Sequence, residues 1–159
     1  MVSAMKGDPD VIAKLDEILA HELTSADLYL FFSRQLADQG YTKLATRLAH
    51  EATDEMGHAE RVTERIIFLG GEPNVLARAD KPTPRDPKGI LELSLEYELE
   101  VATLLNEAIR LCDDKKDANS RLLLEDLLRD TESDHVDWLE TQMHQIGEIG
   151  LELYLLAQV

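Results

Sequence analysis

The sequence predicts an all-α fold, an antiparallel four-helix bundle with one long crossover and a short C-terminal fifth helix. Gly and Pro are sparse and clustered, so the stretches between them are long. Within those stretches apolar residues recur at three- and four-residue steps, and no segment alternates as a half-buried strand does. The first helix, roughly 9–39, carries Val11, Leu15, Ile18, Leu19, Leu23, Ala26 and Tyr29 behind Asp8-Pro9, a cap and first-turn pair, and Gly40 ends it. The second, roughly 42–69, runs on Leu44, Leu48, Val62, Ile66 and Leu69 and stops at Gly70-Gly71. The segment "GGEPNVLARADKPTPRDPKG" holds four of the five prolines, and its length suits a crossover rather than a tight turn. The third helix, roughly 87–114, starts at Asp86-Pro87 and carries Leu91, Leu95, Val101, Ala102, Leu105 and Ile109. The fourth, roughly 118–147, carries Leu124, Leu128, Leu139 and Ile146. A final piece, roughly 150–157, is too short to be stable alone and has to dock. At 159 residues the chain is expected to form one domain with a real core.

Charge narrows the function. Sixteen Lys and Arg against 32 Asp and Glu leave a formal charge of -16, which repels nucleic acid and anionic membranes and favours metal cations. No apolar run approaches the 18 or so residues of a membrane span, and "MVSAMKGDPD" lacks the apolar core of a signal peptide. A cytoplasmic location is the expectation. The single cysteine, Cys112, permits no internal disulfide and reads as a small buried apolar residue.

The informative residues interrupt the apolar stripes. Glu22 lies four past Ile18; Glu55 and His58 fall between Leu48 and Val62; Glu98 falls between Leu95 and Ala102; Glu132 and His135 fall between Leu128 and Leu139. Six polar groups are thus expected to point inward. Four carboxylates in a low-dielectric interior are prohibitively costly unless something cationic sits among them. The set also repeats: Glu22 to Glu98 is 76 residues, and the two E-x-x-H pairs are 77 apart. Four carboxylates and two imidazoles form the ligand set of a dinuclear iron or manganese site in a helix bundle, a pattern general to di-iron carboxylate proteins. Each metal would take one terminal Glu and one His, with two Glu bridging. His21 and His144 read as solvated surface residues.

These residues lie in the phrases "MKGDPDVIAKLDEIL", "DEMGHAER", "RIIFLGGEPN", "LEYELE", "DHVDWLETQ" and "GLELYLLAQ". Through them the chain resembles the bacterioferritins over almost its whole length. The resemblance implies a ferritin-like fold and a hollow shell of 24 subunits built from two-fold dimers. It further implies a ferroxidase that oxidises Fe2+ with O2 or H2O2 at an intrasubunit di-iron centre, stores ferric mineral, and shares haem b between paired subunits. A small ferredoxin that reduces the stored iron, and in some bacteria a second subunit type, belong to the same expectation. By that likeness the di-iron ligands are Glu22, Glu55, His58, Glu98, Glu132 and His135, with Glu55 and Glu132 bridging.

Met56 is turned about 100° from Glu55 around the helix, onto a stripe of Ala45, Ala49, Ala52, Ala59 and Thr63. The pattern alone reads as a smooth face packed by another helix; the resemblance makes Met56 the haem's axial ligand. His50 and Asp54, at i and i+4, read either as an exposed helical pair or, by resemblance, as residues that hold iron on the inner shell surface. Tyr29 and Trp138 read as packed core or, by likeness, as electron donors near the centre. The chain departs from the family pattern in three places: Gln39 stands where a tryptophan is common, the loop between the third and fourth helices is one residue longer, and a few residues precede the usual start at Met5. Two other functions fit the residues: a di-iron or di-manganese oxidase or peroxidase that stores nothing, and a haem-carrying structural subunit with a silent metal site.

Overall fold

The structure is a computed structural model that describes residues 6–159, so Met5 lies outside the described residues. Three of the first four helix starts carry a local signal. The Asp8 side chain accepts from the Asp10 amide at 2.8 Å, and Pro9 opens α1 (Pro9–Asp38). Asp86 accepts from the Gly89 amide at 2.8 Å ahead of Pro87, the first residue of α3 (Pro87–Asp114). Asp117 caps α4 (Ala118–Asp130) through the Ser120 amide at 3.0 Å. The fourth start, that of α2 (Thr42–Phe68), has no side-chain cap and follows directly on the turn that closes α1. Gly70, with φ +84°, ends α2 in the left-handed region that a residue with a Cβ enters only at a cost.

Beyond Asp130 the chain does not stop. A π-helical turn, Thr131–Val136, leads into α5 (Asp137–Ile149) along one helical path. Gly150 (φ +81°) then breaks the path before α6 (Leu151–Leu156). α6 docks at the end of the bundle: Tyr154 is buried and donates to Gln142 at 2.7 Å, and Lys43 reaches the carbonyls of Ala157 and Gln158.

Short turns make α1/α2 and α3/α4 adjacent antiparallel pairs, and α1 also packs on α3 while α2 packs on α4. The crossover between α2 and α3 is pinned along α1 and α3. Asn74 donates to Asp16, Ala79 donates to Thr24, Arg78 pairs with Asp27, and Lys81 stands over the Tyr97 ring. No strand occurs among the described residues, and no described helix is long and apolar enough to cross a membrane.

The core is in two parts. One contains Val11, Leu15, Ile18 and Leu19 of α1 against Val62, Ile66, Leu105 and Leu124. The other contains Phe32 and Leu36 of α1 against Leu44, Leu48, Ile90, Leu139 and Ile146. Between them, at mid-length of each long helix, lie the buried polar side chains Glu22, Glu51, Glu55, His58, Glu98 and His135.

Candidate metal centre

The stripe of α2 runs Leu44, Leu48, Glu51, Glu55, His58, Val62, Ile66 and Leu69 in steps of three and four, and all eight are buried. An undistorted helix therefore aims Glu55 and His58 inward. Glu22 and Glu98 enter from α1 and α3 by the same rule, each 3 % exposed or less.

The second half behaves differently. Its buried positions are Ser120, Leu124, Leu127, Thr131, His135, Val136, Leu139, Gln142 and Ile146. A π-turn holds more residues than an α-turn, so side chains four apart stay on one face through it. Thr131 and His135 consequently both point inward, and Glu132, one position further round, is exposed. The expected inward phase of Glu132 is thus corrected: it rests on Leu128, which is only half-buried, whereas the buried face of the helix runs through Ser120, Leu124, Leu127 and Thr131, about 100° round from Glu132. His21 is corrected as well. It is half-buried, with its Nδ1 2.9 Å from the Tyr97 hydroxyl, so it ties α1 to α3 and does not sit free in solvent. His144 is exposed.

The five remaining inward residues form two groups that share one member. Glu22, Glu55 and His58 form the first, and Glu55, Glu98 and His135 the second; in each, one ligand atom per residue lies within 4.8 Å of the others. The two oxygens of Glu55 face different rings. Its Oε2 is 3.2 Å from His58 Nδ1 and its Oε1 is 2.9 Å from His135 Nδ1. Glu22 lies 3.3 Å from the same atom of His58, and Glu98 3.2 Å from that of His135. The two imidazoles stack at 5.9 Å between centroids and 21° between planes. Tyr29 donates to Glu98 Oε1 at 2.5 Å and meets the His135 ring edge-on.

The electrostatics call for cations. Burial, and then repulsion from Glu55, push the Glu22 carboxyl up to about 8. Burial alone would pull the His58 imidazole down, but Glu22 and Glu55 together reverse this and raise it to about 11. His135 is driven up in the same way against burial, by Glu51, Glu55 and Glu98. Burial and the charges of Glu98 and Glu55 raise the Tyr29 hydroxyl well above its ordinary value. The cluster therefore favours added positive charge. Glu22 Oε1 and both oxygens of Glu51 are buried without a hydrogen-bond partner, a costly arrangement for a carboxylate. Oxygen and imidazole donors in this number and charge fit divalent iron or manganese.

The ferritin-like domain family matches residues 12–149. The bacterial ferritin of Synechocystis sp. is 41% identical over 155 residues, which cover 98% of this chain and 99% of that one. The bacterioferritin of Mycobacterium leprae is 40% identical over 150 residues, 94% of each chain. The bacterial ferritin of Pseudomonas aeruginosa is 40% identical over 155 residues, 98% of this chain and all of that one.

The chain belongs to the bacterioferritin family. Its ferritin-like bundle holds a buried carboxylate and histidine cluster, and around that cluster lie residues that the sequence pattern did not single out. Glu51 is 1% exposed, and its Oε2 stands 2.7 Å from His135 Nε2. That contact is close but poorly aligned for a hydrogen bond, so it counts as an ion pair. Arg47 closes Glu51 off from outside, its Nε 2.5 Å from Oε1, and also bonds Asp134 at 2.9 Å while lying over Trp138. Asp130 Oδ2 is 2.6 Å from His58 Nε2. The signal for Glu51 was present, since it falls on the α2 stripe one turn before Glu55; Asp130 has none, because it lies at the edge of the buried face, one residue before Thr131, and belongs to no repeat.

Met56 is 49% exposed on the outer face of α2, next to the half-buried Ala52. His50 is exposed, and its Nε2 is 3.3 Å from Asp54 Oδ2. Asp54 in turn lies 3.7 Å from His135 Nε2, so the pair borders the cluster and is not remote from it.

Proposed function

We propose that this chain is an iron-storage subunit that oxidises Fe2+ at a di-iron site made by Glu22, Glu55, His58, Glu98 and His135. Iron storage is the function supported by membership of the ferritin-like family and by relatives named bacterial ferritin. The observation that carries the reading is the division of Glu55, whose two oxygens each face a histidine that has its own second glutamate. Two ions sharing one bridging carboxylate would use that arrangement. Glu132, the sixth ligand by family resemblance, is exposed, and as a ligand it would have to turn inward when metal enters.

Fe2+ is the substrate. Two Fe2+ lose one electron each, and O2 with two protons takes both to give H2O2; H2O2 serves as an alternative oxidant. Carboxylates neutralise the growing metal charge, the two imidazole Nδ1 atoms give nitrogen ligands once their protons leave, and Tyr29 holds Glu98 in place through its 2.5 Å bond. The surplus of 16 negative charges draws cations towards the protein.

The family reading extends to assembly and to haem. Ferritins form homo-oligomeric shells, and we propose 24 subunits built from two-fold dimers in the cytoplasm, with a ferredoxin as reductant of the stored iron. Met56 would hold haem b together with the same residue of a second copy; its half-exposed thioether among small side chains leaves room for a flat macrocycle. When bound, haem supplies one-electron redox chemistry. His50 and Asp54 would hold iron on the inner surface.

Glu22→Ala or His135→Ala should abolish rapid Fe2+ oxidation, followed as the rise of ferric absorbance after mixing with air-saturated buffer. Wild-type kinetics in either variant defeats the assignment.

A further inference from the structure

Both histidines of the cluster are used on two sides. Each turns Nδ1 towards two glutamates of the centre and Nε2 towards a carboxylate outside those two groups; beside His135 that carboxylate, with Asp54 and Asp134, completes a third set whose ligand atoms also lie within 4.8 Å of one another. For His58 that carboxylate is Asp130, at 2.6 Å; for His135 it is Glu51, at 2.7 Å. The arrangement is crossed. His58 comes from the first half of the chain and is backed by Asp130 from the second, whereas His135 comes from the second half and is backed by Glu51 from the first.

The two supports differ in setting. Glu51 is sealed in the bundle and held on its far side by Arg47. Asp130 has a side chain 43% exposed and borders a surface cleft lined also by Arg61, Asp126, Arg129 and Ser133. Neither residue takes part in the 76- and 77-residue repeat of the glutamates and histidines, so each was placed independently of the duplicated ligand pattern.

A neutral imidazole has one N–H and one lone pair, and a metal needs the lone pair. A carboxylate beside Nε2 favours the proton there, which leaves Nδ1 to the metal, and it also fixes the ring plane. Resting on the di-iron reading above, we infer that Glu51 and Asp130 are positioning residues, one for each metal, that orient the His135 and His58 rings and set their tautomers.

The test is Co2+ titration of the full-length assembled protein, read by the visible absorption of bound Co2+, with thermal unfolding of the metal-free forms in parallel. Wild type is expected to bind two Co2+ per subunit. Asp130→Ala should weaken one of them by about 10–100-fold and shift its absorption band, while leaving the other and the metal-free unfolding temperature unchanged. Glu51→Ala should weaken the other ion by a similar factor, and Glu51→Gln, which keeps an oxygen beside Nε2 but not the charge, should recover part of that affinity. Asp130→Ala is the safer variant for folding, because its side chain is half-exposed. Wild-type affinity for both ions in Asp130→Ala and Glu51→Ala overturns the inference alone. So does a Glu51→Gln protein as weak as Glu51→Ala, or a third wild-type Co2+ lost outright in Glu51→Ala, which would make Glu51 a ligand. A wild-type protein that binds no Co2+ overturns the di-iron reading and this inference with it.

Discussion

Glu55→Gln is the most discriminating substitution at the centre. The side chain is 2% exposed, and its oxygens lie 3.2 Å from His58 Nδ1 and 2.9 Å from His135 Nδ1. Glutamine keeps the volume and removes one negative charge and one metal-binding oxygen, so both halves of the cluster lose the same group. Breaking a buried charge pair by removing one partner costs about 3–5 kcal/mol. At about 1.4 kcal/mol per decade this corresponds to roughly two to three and a half decades of metal affinity. Glu22→Gln and Glu98→Gln should differ from it, since each touches one histidine only. Co2+ or anaerobic Fe2+ titration measures the stoichiometry, and stopped-flow oxidation measures the rate. The expected result is that Glu55→Gln weakens both ions, whereas each of the other two variants weakens one. Loss of a single ion in Glu55→Gln, or Fe2+ oxidation at the wild-type rate, refutes the shared-carboxylate geometry.

Four further outcomes follow. Glu132→Ala should bind Co2+ within about tenfold of wild type, because exposed substitutions away from the buried set cost little; a loss as large as that of Glu55→Gln would show that the side chain turns inward when metal enters. Metal should stabilise the protein more at pH 8 than at pH 6, measured as the difference in unfolding temperature with and without Co2+. The sign follows from the metal-free fold, which binds more protons than the unfolded chain from about 4.5 to 8 at Glu22 and from about 6.5 to 11 at His58, so its stability falls as pH rises through those windows while proton competition with metal also fades. Tyr29→Phe deletes a hydrogen bond to a buried carboxylate, worth about 1.5–3 kcal/mol, and should lower the metal-free unfolding temperature and slow Fe2+ oxidation; an unchanged temperature would show that Glu98 finds another donor. Met56→Leu should prevent formation of the haem absorption band on reconstitution, and a normal band would remove Met56 as the axial ligand.

The helices were legible because their signals are local: Asp-Pro at two starts, glycine at three ends, and a three- and four-residue apolar rhythm between them. Glu22, Glu55, His58 and Glu98 could be assigned an inward direction for the same reason, since each sits on an undistorted helix whose phase carries across from its apolar neighbours. The phase of Glu132 could not be read in this way. It was set by extrapolating from Leu128, which is only half-buried, while the buried stripe runs through Leu124, Leu127 and Thr131. Glu51 was hidden by a different cause. It lies on the correct stripe, but a search for a repeated Glu and E-x-x-H pattern passes over a carboxylate with no counterpart in the other half.

The division of the core has a consequence for how the protein comes apart. Leu15 and Ile66 belong to one apolar cluster, and Leu36 and Leu48 to another; between them lies a layer of buried carboxylates and imidazoles. Without metal, the ties across that waist among the described residues are the backbones of the long helices, Leu28, which packs against both clusters, the Tyr29–Glu98 hydrogen bond and a few ion pairs, so either end can open with little disturbance of the other. Metal ions there would bond residues from α1, α2 and α3 and the π-turn to one another and join two weakly communicating halves into a single cooperative unit. Amide exchange at the far ends, α6 and the start of α1, should then slow together when the middle is filled, which makes a storage subunit's rigidity a report of its iron load.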